Sequence, residues 1–447
     1  MEICCVGGYE EVGKNMTAIK VGEDVILIDC GFYLPGVIEL QGENEIHYTR
    51  AGLRRVGGIP DERILDELGW RKKVKAIFIS HAHLDHVGGL PYLIERYPNA
   101  EIFGTPFTIK VLESLIEDAR VVVNNKINTI KPNSVVSVPG SKNPEFKVEF
   151  IHTTHSTLDC SFIAVHTKEG IFFYTLDFKF DDNPIIENPP NYSRLKEIGE
   201  IGVKVCIMNA LYASREEPQG GEREAKKMLE NAFSKINLKN RALFLTTFSS
   251  QIERLTSIVE LASRTKREIV FLGRSMAKYV GCAIDIGKCP FKDKIKIIKY
   301  SRQVNSFLKK LEQERDKYVV VCTGHQGEED SILDRISKGK THFRFKHGDN
   351  LIISSSVIPT EVNIEARKKL DEKLKKMGVN LQTDVHVHGH GGKLDKEKLL
   401  NLIKPKHIIP AHGSLEQEKD VMNLAKERGY IEGKTSHLVK NGQVLKI

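Results

Sequence analysis

The stretch Ser80-His81-Ala82-His83-Leu84-Asp85-His86 stands directly behind the apolar run Ala76-Ile77-Phe78-Ile79 and ahead of Val87-Gly88-Gly89-Leu90-Pro91-Tyr92-Leu93-Ile94-Glu95-Arg96. The run reads as a buried strand and the following segment as the opening of a helix. The metal-capable side chains between them therefore fall on a tight turn at the strand's C-terminal end, the edge where ligands bind in α/β sheets. His81 and His83, two apart, point to one side of an extended turn, and Asp85 and His86 swing round at the helix start. One metal ion would take the first pair and a second ion the other. A lone surface histidine carries little information, but HxHxDH between a strand and a glycine turn is specific.

The same pattern recurs along the chain. Lys147-Val148-Glu149-Phe150-Ile151-His152-Thr153-Thr154 leads to His155, and Gly170-Ile171-Phe172-Phe173-Tyr174-Thr175-Leu176 leads to Asp177. Lys406-His407-Ile408-Ile409-Pro410-Ala411 leads to His412. His81, His83 and His155 suit one zinc ion, Asp85, His86 and His412 a second, and Asp177 is placed to bridge them. Imidazole and carboxylate donors without thiolate match a catalytic zinc site that keeps open positions. Two such ions about 3.5–4 Å apart can clamp the attacking and leaving oxygens of a phosphodiester. Mn²⁺ would also accept these ligands. Asp29 closes the strand Val25-Ile26-Leu27-Ile28 just before Cys30-Gly31. It reads either as a turn cap or as a carboxylate that orients a metal-bound histidine or water.

Composition sets the frame. A chain of 447 residues calls for two domains, or one large domain with an insertion. No apolar run approaches the roughly 18 residues of a spanning helix. The start, Met1-Glu2-Ile3-Cys4-Cys5-Val6-Gly7-Gly8, shows no signal-peptide pattern. The eight cysteines form no CxxC pair and mostly lie in apolar runs, as reduced thiols of a cytoplasmic protein would. A net charge of +8 favours a polyanionic partner, although dispersed lysines equally suit an ordinary solvated surface. Residues 35–72 are polar, Gly-rich and weakly periodic, and read as a long loop.

The HxHxDH motif with Asp29, His155, Asp177 and His412 resembles the metallo-β-lactamase fold, an αββα sandwich. Gly7-Gly8, Glu11-Val12-Gly13-Lys14-Asn15-Met16, the 76–93 stretch, Leu176-Asp177-Phe178-Lys179-Phe180-Asp181 and Leu402-Ile403-Lys404-Pro405-Lys406 resemble the ribonuclease J family, over essentially the whole chain. The middle reads as βαβ units: Ala242–Phe248, Glu268–Gly273 and Tyr318–Gly324, each followed by a turn and a helical segment. It is similar to the β-CASP insertion, with Gly273-Arg274-Ser275-Met276 and Cys322-Thr323-Gly324-His325-Gln326-Gly327-Glu328 as its landmarks. The expected domains are 1–207 and 353–447 for the lactamase part and 208–352 for the insertion, which would lie as a lid over the metals and leave a channel for a strand. The lysines between Lys292 and Lys317 would line that channel or, more simply, face solvent.

The resemblance implies a ribonuclease that uses two Zn²⁺ ions per chain, or Mn²⁺, cuts RNA 5′ to 3′ and prefers a 5′-monophosphate end. His390, in Val385-His386-Val387-His388-Gly389-His390-Gly391, corresponds to the β-CASP histidine near the scissile phosphate, and Asp85 and Asp29 join it as catalytic residues. His386, His388, Ser354, Ser355, Ser356, Arg274 and Ser275 are candidates for gripping single-stranded, 5′-monophosphorylated RNA. A polar turn after Leu351-Ile352-Ile353 would explain the serines equally well. Two departures stand out. Cys206-Ile207-Met208-Asn209-Ala210-Leu211-Tyr212 lacks the acidic residue relatives carry at the start of the insertion, and the end at Ile447 fits the archaeal type without the bacterial C-terminal domain. No membrane partner is expected, and a homodimer is left open. An endoribonuclease, a thioester or lactam hydrolase and a metal-free scaffold are the competing readings.

Overall fold

Short strands with buried apolar faces build two facing sheets. Gln443–Lys446, Glu2–Gly7, Met16–Val21, Asp24–Ile28, Val74–Ile79, Glu101–Gly104 and Ile127–Thr129 form a seven-stranded sheet in that order. His407–Ala411, Val203–Asn209, Ile171–Tyr174, Ser161–His166, Lys147–His152 and Ser134–Ser137 form a six-stranded one. Ile3, Ile26 and Phe78 of the first share one core with Phe150, Phe172 and Ile207 of the second. The outer face of the second sheet is covered by Tyr192–Ile201, Lys393–Ile403 and Leu415–Glu427, through Leu195, Ile198, Leu399, Ile403, Val421 and Leu424. Pro106–Ala119 buries Phe107, Val111 and Leu112 beside the first sheet. This is the αββα sandwich expected from the sequence. The strands buried on both faces are the continuous apolar runs, such as Ala76–Ile79 and Ile408–Ile409, because no side of them meets water.

This computed structural model describes residues 1–42, 48–143, 146–218, 220–358 and 361–447. The chain separates into two units, one of Met1–Asp182, Asn188–Gln219 and Gly389–Ile447, the other of Asn183–Glu187 and Gly220–His388. The second unit holds a sheet of six parallel strands: Ile295–Ile298, Glu268–Leu272, Tyr318–Cys322, Leu243–Thr246, Asn350–Ile353 and Asn380–Gln382. It thus runs past residue 352, where the sequence suggested its end. The helix Glu361–Lys376 places Leu370 and Leu374 in this unit's core, and Asn380–Gln382 adds an edge strand to its sheet. Its start likewise falls at Gly220 rather than 208, because Val203–Asn209 pairs with Ile171–Tyr174 and His407–Ala411 in the sandwich.

Two further expectations meet the structure. Lys292, Lys294, Lys296, Lys299, Lys309, Lys310 and Lys317 are exposed, as either alternative requires. Among its described residues the 35–72 segment is not a plain loop: Leu34–Gly42, Arg50–Arg55 and Ile64–Glu67 are helical, and Leu53, Leu65 and Trp70 are buried, while 43–47 lie outside the described residues. All eight cysteines are buried free thiols. No described helix is long and apolar enough to cross a membrane.

Candidate metal centre

Four strand ends of the sandwich deliver the side chains read from the sequence. His81 and His83 follow Val74–Ile79, His155 follows Lys147–His152, Asp177 follows Ile171–Tyr174, and His412 follows His407–Ala411. Asp85 and His86 lie on the short helix Leu84–Val87 that begins right after His83. Asp29 and His412 adopt left-handed backbone at φ 60° and 57°. Such conformations cost on the order of 1–3 kcal/mol each at non-glycine residues and persist where the surroundings enforce them. At Asp29 the enforcement is visible. Cys30 N donates to His86 O at 2.7 Å, Gly89 N to Cys30 O at 2.9 Å, and Asn15 N to Asp85 O at 3.1 Å. A Cβ on Gly31 would meet Asp85 O at 1.6 Å, so only glycine permits this approach.

The ligand atoms gather in two groups, His81, His83, His155 and Asp177, and Asp85, His86, Asp177 and His412, each within 4.8 Å. Asp177 belongs to both. Its Oδ2 lies 3.5 Å from His81 Nε2, 3.4 Å from His86 Nε2 and 3.4 Å from His155 Nε2, and its Oδ1 lies 3.5 Å from His412 Nε2. Asp85 Oδ2 lies 3.8 Å from His86 Nε2 and 3.6 Å from His412 Nε2. His83 Nδ1 sits 3.2 Å from His81 Nε2 and 3.0 Å from His155 Nε2. Three imidazole nitrogens aimed at one point in a buried setting cannot all satisfy one another. A divalent cation fits this donor set, with neutral histidines and carboxylates and no thiolate.

The electrostatics of His81, His83 and His155 agree with that fit, whereas His86 would have to give up a proton to ligate. Burial pushes His81 well below its ordinary range and His83 and His155 down to about 3, which keeps them unprotonated and able to ligate. Burial also opposes charge on His86, yet Asp177, Asp29 and Asp85 outweigh it and hold this histidine well above its usual range. Burial works to raise the Asp177 carboxyl, but His412, His390 and His86 hold it well below the usual carboxylate range.

Supporting contacts fix the ligands. Asp29 Oδ2 lies 2.7 Å from His86 Nδ1, and Asp29 also accepts from Ser80 N and Ser80 Oγ, both at 2.8 Å. It stands behind His86 rather than among the ligand atoms. Gly389 O accepts from His155 Nδ1 at 2.6 Å, and Asn15 Oδ1 lies 3.2 Å from His412 Nδ1. At His86 and His155 a proton on Nδ1 leaves the Nε2 lone pair for a metal, whereas His412 Nδ1 accepts from Gly13 N at 3.1 Å. Asn209 donates Nδ2 to Asp177 Oδ1 at 2.8 Å. Asn15, Ser80 and Asn209 escaped the sequence reading as site residues, since an isolated polar side chain has no periodic or spacing signal.

His390 stands at the edge of the cluster. Its Nδ1 lies 3.8 Å from Asp177 Oδ1 and 3.4 Å from Asn209 Nδ2, its ring is 4.9 Å from that of His155, and burial pushes its pKa down to about 3.

The remaining candidates belong to the second unit. Because its six strands are parallel, their C-terminal ends line one edge, and Ser249, Arg274, Ser275, His325 and Ser354–Ser356 all follow such ends. Ser354 is already committed: its Oγ accepts from Arg254 Nη1 at 2.8 Å and donates to Val385 O at 2.7 Å. Its hydroxyl is thus engaged in two hydrogen bonds within the unit. Ser355 Oγ and His325 Nε2 are buried without a partner among the described residues. Ser356 O accepts from Gln326 Nε2 at 2.8 Å. Arg274 is exposed at the start of Arg274–Asp285, and Ser275 Oγ lies 2.5 Å from Ser249 Oγ. His386 Nδ1 lies 3.2 Å from Arg254 Nη1, and the His386 and His388 rings are 5.3 Å apart. Neither histidine joins the two ligand groups.

Comparison with known proteins agrees with fold and site. Residues 9–189 match the metallo-beta-lactamase superfamily, and residues 239–371 match the beta-CASP domain of ribonuclease J. Ribonuclease J of Pyrococcus abyssi is 36% identical over 448 residues, covering 100% of this chain and 97% of that protein. Ribonuclease J of Methanocaldococcus jannaschii is 35% identical over 447 residues, covering 100% and 98%. A crystal structure of a protein of unknown function from Enterococcus faecalis V583 covers 99% of both chains at a TM-score of 0.63 and 16% identity, a likeness of fold alone. With its β-CASP unit set into a lactamase sandwich and a buried His/Asp site suited to divalent metal, the chain belongs to the ribonuclease J family of metal-dependent ribonucleases.

Proposed function

We propose that the protein hydrolyses RNA as a two-metal 5′-to-3′ exoribonuclease that prefers a 5′-monophosphate end. The observation that carries its two-metal part is the sharing of Asp177 between two ligand groups, while RNA as substrate rests on the ribonuclease J relatives. His81, His83 and His155 with Asp177 would hold one Zn²⁺, and Asp85, His86 and His412 with Asp177 the other, with Mn²⁺ an acceptable substitute. Such a pair supplies Lewis-acid stabilisation of charge on the attacking and leaving oxygens at phosphorus.

The chain's own residues set the rest. Asp29 and Ser80 hold His86, and Asn15 holds His412, so the donors are in place before substrate arrives. His390 is held neutral, with Nδ1 facing the Asn209 amide, so its Nε2–H is the group that can donate to a phosphate oxygen or to the leaving 3′-oxygen. Cleavage would leave a 5′-phosphate and a 3′-hydroxyl. In the second unit, Ser355 Oγ and His325 Nε2, without a partner among the described residues, and the exposed Arg274 support anchoring of the 5′-phosphate, with Ser275, Ser356, His386 and His388 as further contributors. We expect a cytoplasmic enzyme acting on single-stranded RNA.

The test uses 5′-labelled RNA carrying a monophosphate, a triphosphate or a hydroxyl end. Release of labelled mononucleotide from the monophosphate form alone is expected. Internal fragments from all three would replace this reading by an endonuclease.

A further inference from the structure

His390 sits on the turn Gly389–Gly392, and that turn is fixed at three backbone atoms. Gly389 O accepts from His155 Nδ1 at 2.6 Å, Gly391 N donates to Phe178 O at 2.7 Å, and Gly391 O accepts from Lys396 Nζ at 2.8 Å. The same ammonium donates to Leu211 O at 2.7 Å. Leu211 N in turn donates to Asn209 Oδ1 at 2.8 Å, and this is the side chain whose Nδ2 reaches Asp177. One lysine therefore spans the turn that carries His390 and the turn that follows Asn209.

Lys396 occupies its place against ordinary preference. It is only 1% exposed, and burying an ammonium is strongly unfavourable unless its protons find acceptors. It also lies near the N-terminal end of the helix Lys393–Ile403, where the helix dipole disfavours a cation. Filling space there would be done better by leucine or methionine. What those side chains lack is a pair of N–H donors for two carbonyls on separate turns.

We propose that Lys396 is a positioning residue for RNA cleavage: by tying Gly391 O to Leu211 O it sets where His390 stands relative to Asp177 and Asn209. The proposal rests on the role given to His390 above. Lys396 itself touches no reacting group, so its effect passes entirely through that histidine.

The experiment is a double-mutant cycle in the full chain, with Lys396→Met, His390→Ala and both together, read by steady-state RNA cleavage and by bound metal. Misplacing a reacting group by about 1 Å costs on the order of 100-fold in rate, so Lys396→Met is expected to lower kcat by roughly 10- to 100-fold. KM and metal content stay at wild-type values. In the His390→Ala background the same change is expected to cost less than about twofold, because residues acting as a unit are not additive. A full multiplicative loss in the double variant, or an unchanged kcat in Lys396→Met, overturns the proposal. An unchanged kcat in His390→Ala overturns the role of His390 instead, which keeps the two failures apart. Should Lys396→Met not fold, Lys396→Arg enters the same cycle, with a loss expected that vanishes once His390 is gone; a loss that persists there counts against the proposal.

Discussion

Asp29 Oδ2 lies 2.7 Å from His86 Nδ1, and both side chains are fully buried. The contact fixes the ring so that Nε2 faces the ligand group. Asp29→Asn keeps the shape but removes the charge and, with its remaining oxygen held by Ser80 N, turns an amide NH2 donor toward His86 Nδ1 in place of an acceptor. Removing such a partner typically costs 10- to 100-fold in metal affinity. Titration of the metal-stripped protein with Zn²⁺ should show a loss of about that size for one of two sites. Wild-type affinity at both sites would mean that Asp29 is only a turn residue.

Glu222 and Arg254 form a bidentate pair inside the second unit, with Nε to Oε2 at 2.9 Å and Nη2 to Oε1 at 3.0 Å. Arg254 also donates to Ser354 Oγ. Removing one partner of a buried ion pair leaves an uncompensated charge and costs about 3–5 kcal/mol. Glu222→Gln should therefore shift denaturant unfolding of this unit by about that amount.

Glu418 is fully buried, its Oε1 accepts from Glu10 N at 2.8 Å, and its Oε2 has no partner among the described residues. Burial raises its pKa from 4.5 to about 8. Between those two values the folded protein keeps a proton that the unfolded chain has released, so this group's contribution to stability falls as pH rises through that window. Glu418→Gln keeps the acceptor and cannot ionise. The drop in Tm from pH 5 to pH 8 should be smaller in the variant than in the wild type, and an equal drop would refute this.

Much of the site could be read from the sequence because each ligand follows a long apolar run, as His81 follows Ala76–Ile79. The edge of the second unit was harder. Asn380–Gln382 is a three-residue strand of half-buried residues, and Glu361–Lys376 shows an almost wholly charged surface with few apolar residues, so neither betrays which core it joins. The helices of 35–72 were hidden for a related reason: they are short, with Leu53, Leu65 and Trp70 as scattered anchors rather than a repeating stripe. Asn209 and Lys396 act through a few hydrogen bonds, most of them to segments far away in the chain, and no local pattern marks such pairs.

The central claim is that Asp177 serves two metal ions at once and that RNA cleavage depends on both. The direct measurement is metal stoichiometry by elemental mass spectrometry alongside RNA turnover, for wild type and Asp177→Ala. Wild type should carry two divalent ions per chain, and Asp177→Ala should carry fewer and lose at least about 1,000-fold in turnover, several kcal/mol of transition-state stabilisation. An Asp177→Ala protein with a full complement of metal and wild-type turnover would contradict the account.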